Sequence, residues 1–234
     1  MKKSIIAFIS LITLCIEPLM ASAEFSFKKY QVENGLSHNT TWCAIQDSYG
    51  FLWIGTSNGL NCYYGSGNKI YRNVLNDKYS LGNNFVSSLM EEGEDLWIGT
   101  SSGLYIYDRS DDHFLYFDKT TKYGVFISCE VKKIVKTKNG LIWIATLGQG
   151  IFIYDPAKDV LTQNSIRTFF AWDICQGTDS LVYVSSMQEG LLCFDEEGTF
   201  LQNYPVSSEL SIGNQRINCL HSICLLYTSD AADE

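Results

Sequence analysis

The side chains able to do chemistry are scattered along this chain. His38, His113 and His221 sit in three different contexts, without the spacing that would converge on a metal ion. No serine occupies a nucleophile elbow. The acidic pairs Glu91-Glu92, Asp111-Asp112 and Glu196-Glu197 fall between apolar runs, where turns are expected. Glycoside hydrolysis needs two carboxyl groups about 5 to 9.5 Å apart, and no pair on neighbouring inner strands is evident. Asp108, Asp155 and Asp195 each follow an apolar run, one per repeat, which reads as an Asx turn rather than a ligand set. Of eight cysteines, Cys43, Cys129, Cys175 and Cys193 lie within apolar stretches and read as small buried hydrophobes, with no pairing assigned. No catalytic residue, metal site or cofactor is expected.

The elements that must carry any function are written as a repeat. FLWIGTSNGL (51–60) returns as DLWIGTSSGL (95–104), LIWIATLGQGI (141–151) and, more weakly, LVYVSSMQEGL (181–191). Trp53, Trp97 and Trp143 stand 44 and 46 residues apart, and Tyr183 follows 40 residues later. Periods of this size mark propeller blades or helical arrays. Short runs rich in β-branched and aromatic residues, separated by Gly, Asn and Asp, decide for strands; no sustained 3.6-residue stripe is present. The expectation is an all-β fold, a β-propeller of four-stranded antiparallel blades. The phrase strand is apolar on both faces, Leu52 and Ile54 against Trp53, so each Trp, and Tyr183 in the weakest copy, reads as a wedge between blades. Gly55 and Gly99 are expected where a side chain would crowd a neighbour. Gly59, Gly103, Gly150 and Gly190 are expected at a bend with positive φ. After Pro205, SSELSIGNQRINCL repeats the approach KYSLGNNFVSSLM, so a fifth unit opens and then stops.

The ends set the compartment. Lys2 and Lys3, an apolar run over 4–16 and Ala21-Ser22-Ala23 form a secretory signal peptide, residues 1–23. Residues 24–220 are the partial propeller. Residues 221–234 contain no phrase, no Gly and no Trp, and read as an anomalous tail on a truncated reading frame. A net charge of -9 disfavours contact with nucleic acid or anionic lipid.

The pattern D-x-x-G-x-L-W-I-G-T-x-x-G-L resembles the repeat of the two-component regulator propeller family. Asp47, Gly50, Leu52, Trp53, Ile54, Gly55, Thr56, Gly59 and Leu60 match it; the second unit lacks the Asp, and Ala145 departs in the third. The lead-in Asn34-Gly35-Leu36-Ser37 is also similar. The resemblance implies about four blades, and the start of a fifth, of a seven-bladed ring. It implies the periplasmic sensor part of a hybrid histidine kinase anchored in the inner membrane, and not itself an enzyme. Its partners would be a glycan or oligosaccharide ligand, a second propeller and kinase in the same chain, and a second copy in a homodimer. The output would be control of polysaccharide-utilisation genes. Alternatives are a propeller-fold polysaccharide lyase or glycoside hydrolase, and a secreted binding propeller without signalling output. Blade strands are framework, so ligand contacts must come from loops; the candidates are Asn83, Asn84, Tyr123 and Arg216.

Overall fold

A computed structural model describes residues 27–65, 67–166, 168, 170–204 and 217–221. The signal peptide, Arg216, the tail beyond His221 and most of the fifth unit lie outside the described residues. The chain divides into two compact units, Met1–Tyr30 and Gln31–Glu234, and the propeller belongs to the second.

A 3-10 turn, Val32–Asn34, leads among the described residues into four sheets of four strands. The first contains β1 (Thr41–Gln46), β2 (Leu52–Thr56), β3 (Gly59–Tyr64) and β4 (Gly67–Tyr71). The second contains β5 (Val86–Glu92), β6 (Asp95–Thr100), β7 (Gly103–Asp108) and β8 (His113–Tyr116). The third contains β9 (Glu130–Lys136), β10 (Ile142–Leu147), β11 (Gly150–Asp155) and β12 (Val160–Gln163). The fourth contains β13 (Ala171–Gln176), β14 (Val182–Ser186), β15 (Gly190–Phe194) and β16 (Phe200–Tyr204). Strands pair antiparallel in chain order within each sheet, and the four sheets do not close into a ring. This is an incomplete propeller.

Burial explains why the phrase strand is apolar on both faces. Trp53 packs with Val86, Leu96 and Ile98 of the next sheet. Trp97 packs likewise with Val131, Ile134 and Ile144, and Trp143 with Ala171, Ile174 and Val184. The alternating residues Leu96 and Ile98, or Ile142 and Ile144, meet the preceding sheet and are fully buried. Leu52, in the first sheet, is only half-buried, as is Tyr183 in the fourth. Each of these two stands on the face that has no described four-stranded sheet beside it.

Close approach sets the small residues. A Cβ on Gly55 would lie 2.4 Å from Cys43 Sγ and 2.7 Å from a Val86 methyl; on Gly99 it would lie 2.8 Å from a Val131 methyl. The third unit carries Ala145 at this position. Its neighbouring sheet offers Ala171, which holds the register position of Val86 and Val131, and both alanines are buried in one cluster. The extra methyl is thus matched by a smaller partner. Gly59, Gly103, Gly150 and Gly190 have φ of 122°, 120°, 80° and 90°, the left-handed region the bend requires.

Of the fifth unit, residues 217–221 are described. The Leu220 N–H donates to Asp173 Oδ2 at 2.7 Å, and between the second and third sheets the Ile134 N–H donates to Ser88 Oγ at 3.1 Å. Ser88 and Asp173 hold matching register positions in β5 and β13. Leu220 therefore stands to the fourth sheet as Ile134 does to the second.

Candidate functional site

The loop candidates separate by how their side chains are engaged. Asn83 Oδ1 accepts the Phe85 N–H at 2.8 Å and the Ser101 hydroxyl at 2.9 Å. Asn84 Oδ1 accepts the Asn73 N–H at 2.7 Å, and its backbone carbonyl accepts the Gly59 N–H at 2.7 Å. Both asparagines brace the connection between β4 and β5. Tyr123 differs, being 81% exposed.

Tyr123 borders a cleft of about 690 Å³ between the β8–β9 connection and the β12 edge. The loop is closed on itself: the Thr121 N–H donates to the Val125 carbonyl at 2.8 Å, and the Gly124 N–H to the Thr121 carbonyl at 2.8 Å. This tight turn, with Gly124 at φ 76°, lifts Lys122 and Tyr123 to its tip. Gln149, from the β10–β11 turn, fixes the wall. Its side chain accepts the Ser128 N–H and donates to the Phe126 carbonyl, both at 2.9 Å, while its backbone carbonyl accepts Gln163 Nε2 at 2.7 Å. Thr121, Ser165 and Asn164 supply hydroxyls and an amide, Val160, Leu161 and Ile166 supply apolar surface, and Lys122, the one ionic group among the described lining residues, has its ammonium 5.0 Å from the Tyr123 ring centre. An exposed ring and apolar side chains interspersed with hydroxyls and amides suit a ligand that has both apolar faces and hydroxyl groups.

The buried charges lie elsewhere and are saturated. Asp47 Oδ1 accepts the Tyr49 and Phe51 N–H groups at 3.0 and 2.8 Å, and Oδ2 accepts Trp53 Nε1 at 2.7 Å and Arg109 Nη1 at 2.8 Å. Burial alone would raise its pKa, but the Trp53 and Arg109 bonds outweigh it and hold the carboxyl below its usual range. Arg109 also binds Glu91 of its own sheet at 3.3 Å, so its bond to Asp47 is the one that joins the first two sheets. Asp112, an exposed residue, is also held low: partial desolvation is opposed by bonds from Lys69, Tyr107 and Tyr71. Carboxylates held ionised this way do not serve as the protonated acid that glycoside hydrolysis needs. Burial pushes the Cys43 thiol up to about 12 and Cys62 to about 11, far from a reactive thiolate. Asp108, Asp155 and Asp195 each accept the N–H two residues onward, the Asx turn expected of them. Among the described residues no group of three or more His, Cys, Asp or Glu could hold a metal ion.

A second cluster escaped sequence reasoning. Each inner strand carries a register shift at the same place, setting Trp42, Ser87, Lys132 and Trp172 out of the ladder. Bulges re-aim side chains. The Lys132 ammonium sits 4.2 Å from the Trp172 ring centre, 5.4 Å from that of Trp42, and 3.0 Å from Glu130. Three sheets, the first, third and fourth, thus meet at one cation. The only signal in the sequence is the alignment of the four inner strands, and unlike residue types at that position hide it.

Residues 35–58 match the family model described as two component regulator propeller. A histidine kinase of Formosa agariphila is 38% identical over 68 residues, covering 29% of this chain and 5% of that protein. The extracellular domain of a hybrid two component system of B. thetaiotaomicron superposes with TM-score 0.67 at 21% identity, over 76% of this chain and 26% of that one. That of a one component system from the same organism gives 0.61 at 22%, over 72% and 25%. A virginiamycin B lyase of Staphylococcus aureus gives 0.59 at 14%, over 79% and 61%. The chain spans a twentieth of the curated relative and about a quarter of the two sensor domains. At these identities the likeness is one of fold, and a lyase shares it. The chain is a propeller domain structurally related to the extracellular domains of two- and one-component systems.

Proposed function

We propose that this chain is the periplasmic ligand-sensing portion of a hybrid two-component sensor histidine kinase, and that it responds to a neutral oligosaccharide. The observation that carries this reading is the Tyr123 cleft, about 690 Å³, with an exposed ring beside walls that mix hydroxyls and amides with Val160, Leu161 and Ile166. The matched repeat at 35–58 and the kinase relative support the signalling context. In this reading the chain itself is not an enzyme. A second propeller, a membrane anchor and a kinase in the same protein, acting as a homodimer, carry the signal to polysaccharide-utilisation genes. Coupling requires that ligand bind one arrangement of the sensor more tightly than another.

Isothermal titration of the full chain against a panel of neutral oligosaccharides tests this. One panel member is expected to bind saturably, and Tyr123→Ala to weaken it about tenfold, the effect of losing one aromatic platform. Asn83→Ala, in a bracing position, is expected to leave affinity within about twofold once folding is matched. Cleavage of the bound sugar, or binding indifferent to Tyr123→Ala, contradicts the reading; cleavage would favour a propeller lyase or hydrolase.

A further inference from the structure

The second and third units carry unlike residues at one shared register position. Ile98 pairs with Tyr105 and Tyr105 with Tyr116, while Ile144 pairs with Phe152 and Phe152 with Gln163. Tyr116 and Gln163 therefore hold the same place on the outer strands β8 and β12.

In the second unit a ring fills the space beside this position. The Tyr116 hydroxyl donates to the Ile127 carbonyl, in the chain that leads to the third sheet. Its ring meets Tyr105 edge-on, 5.3 Å between centres, and a Cβ on Gly103 would come within 2.9 Å of it. The third unit has the same frame without the ring. The chain that leads to the fourth sheet crosses Gly150 as Ile127 crosses Gly103: a Cβ on Gly150 would lie 2.5 Å from the Thr168 carbonyl oxygen, and one on Gly103 2.8 Å from that of Ile127. Chain neighbours aside, Thr168 is the one described residue within 4 Å of the point beside Gly150.

Gln163 turns its amide to the Gln149 carbonyl instead, at 2.7 Å. The longer turn offers that acceptor. Two residues separate Thr100 from Gly103, but three separate Thr146 from Gly150. The fourth unit repeats the arrangement: three residues separate Ser186 from Gly190, and Asn203, at the register position of Gln163, donates to the Glu189 carbonyl at 3.3 Å. A long turn and an outer-strand amide thus occur together twice, and the short turn of the second unit occurs with a ring. Gln163 and Thr168 both line the Tyr123 cleft.

We propose that Gln163 is the specificity-determining residue of that cleft: an amide here leaves open, beside Gly150, the space that a tyrosine fills in the second unit, and the sugar enters it. This rests on the reading of the Tyr123 cleft as the oligosaccharide site.

The test compares wild type, Gln163→Tyr and Gln163→Met as full chains. A crystal structure of Gln163→Tyr is expected to show the introduced hydroxyl on the Thr168 carbonyl and the ring beside Gly150. Calorimetry then uses the neutral oligosaccharide that wild type binds from the panel. Gln163→Tyr should weaken it at least about tenfold, the cost of forcing a ligand against one added ring. Gln163→Met loses the amide bond but adds no ring, and should weaken binding less than Gln163→Tyr does. Matching thermal midpoints show that these substitutions on an exposed edge leave the fold intact. If binding depends on Tyr123 but is indifferent to Gln163→Tyr, or if Gln163→Met costs as much as Gln163→Tyr, the proposal falls while the sensor reading stands. A ring turned to solvent with the cleft still open overturns it without any ligand. No saturable binding by wild type, or binding indifferent to Tyr123→Ala, removes the reading itself and this proposal with it.

Discussion

Asp47 does four things with one carboxylate. It closes the β1–β2 turn through two backbone N–H groups, anchors the Trp53 indole, and binds Arg109 from the next sheet. In the third unit Thr137 stands in the corresponding turn, closing it through its own backbone to Leu141, and the buried Trp143 indole N–H has no partner among the described residues. The repeat motif thus has a physical meaning: the Asp satisfies the wedge that follows it. Because the folded-state pKa of Asp47 is depressed, its contribution is present above the unfolded value and is lost as pH falls through the folded one. Asp47→Ala is expected to destabilise the protein by about 3 kcal/mol at pH 7, since it strands Arg109 and the indole. In denaturant titrations that difference from wild type should shrink below about pH 4. A difference that stays constant down to pH 2.5 would mean the ionised carboxylate is not what acts. The Asx role of Asp108, Asp155 and Asp195 was readable from their positions at strand ends. The cross-sheet partner Arg109 was not, because nothing in local spacing tells which turn of the next unit comes alongside.

At the scale of elements, period and composition were enough to place every phrase on a strand, since a strand covered on both faces must be apolar on both. The end effects needed the structure. Leu52 and Tyr183 occupy phrase positions yet are only half-buried, and each stands on the face where the described residues place no neighbouring four-stranded sheet. The pairing of Ala145 with Ala171 likewise joins two units that sequence alone treats separately. It makes a direct prediction for the preceding interface. Gly99→Ala should destabilise by about 1–3 kcal/mol through overpacking against Val131. Combined with Val131→Ala, the double variant should be more stable than the sum of the single effects by about 1 kcal/mol or more. Additivity within about 0.5 kcal/mol, measured by chemical denaturation, would show that the glycine is not held there by its neighbour. The inner-strand bulges belong to the same scale. Period-2 reasoning passes over an extra residue, so Trp42, Lys132 and Trp172 became visible only once the ladders were registered.

For the whole molecule, radial stacking confines variable chemistry to the two ends of the sheets. Connections and β2–β3-type turns build the Tyr123 cleft at one end, and the hairpins carrying Tyr49 and Arg109 build an aromatic cleft at the other. The sequence pointed to loops in general and included Tyr123 among its candidates. It could not separate Tyr123 from Asn83 and Asn84, whose amides are committed to partners distant in the chain. Hydrogen–deuterium exchange of the full chain, with and without the oligosaccharide selected by titration, tests the central claim most directly. The account predicts slower exchange on binding over residues 118–129, around Gln149 and over 161–166, with the core of β10 unchanged. Protection confined to the Tyr49–Arg109 end, or spread evenly over all four sheets, would contradict it.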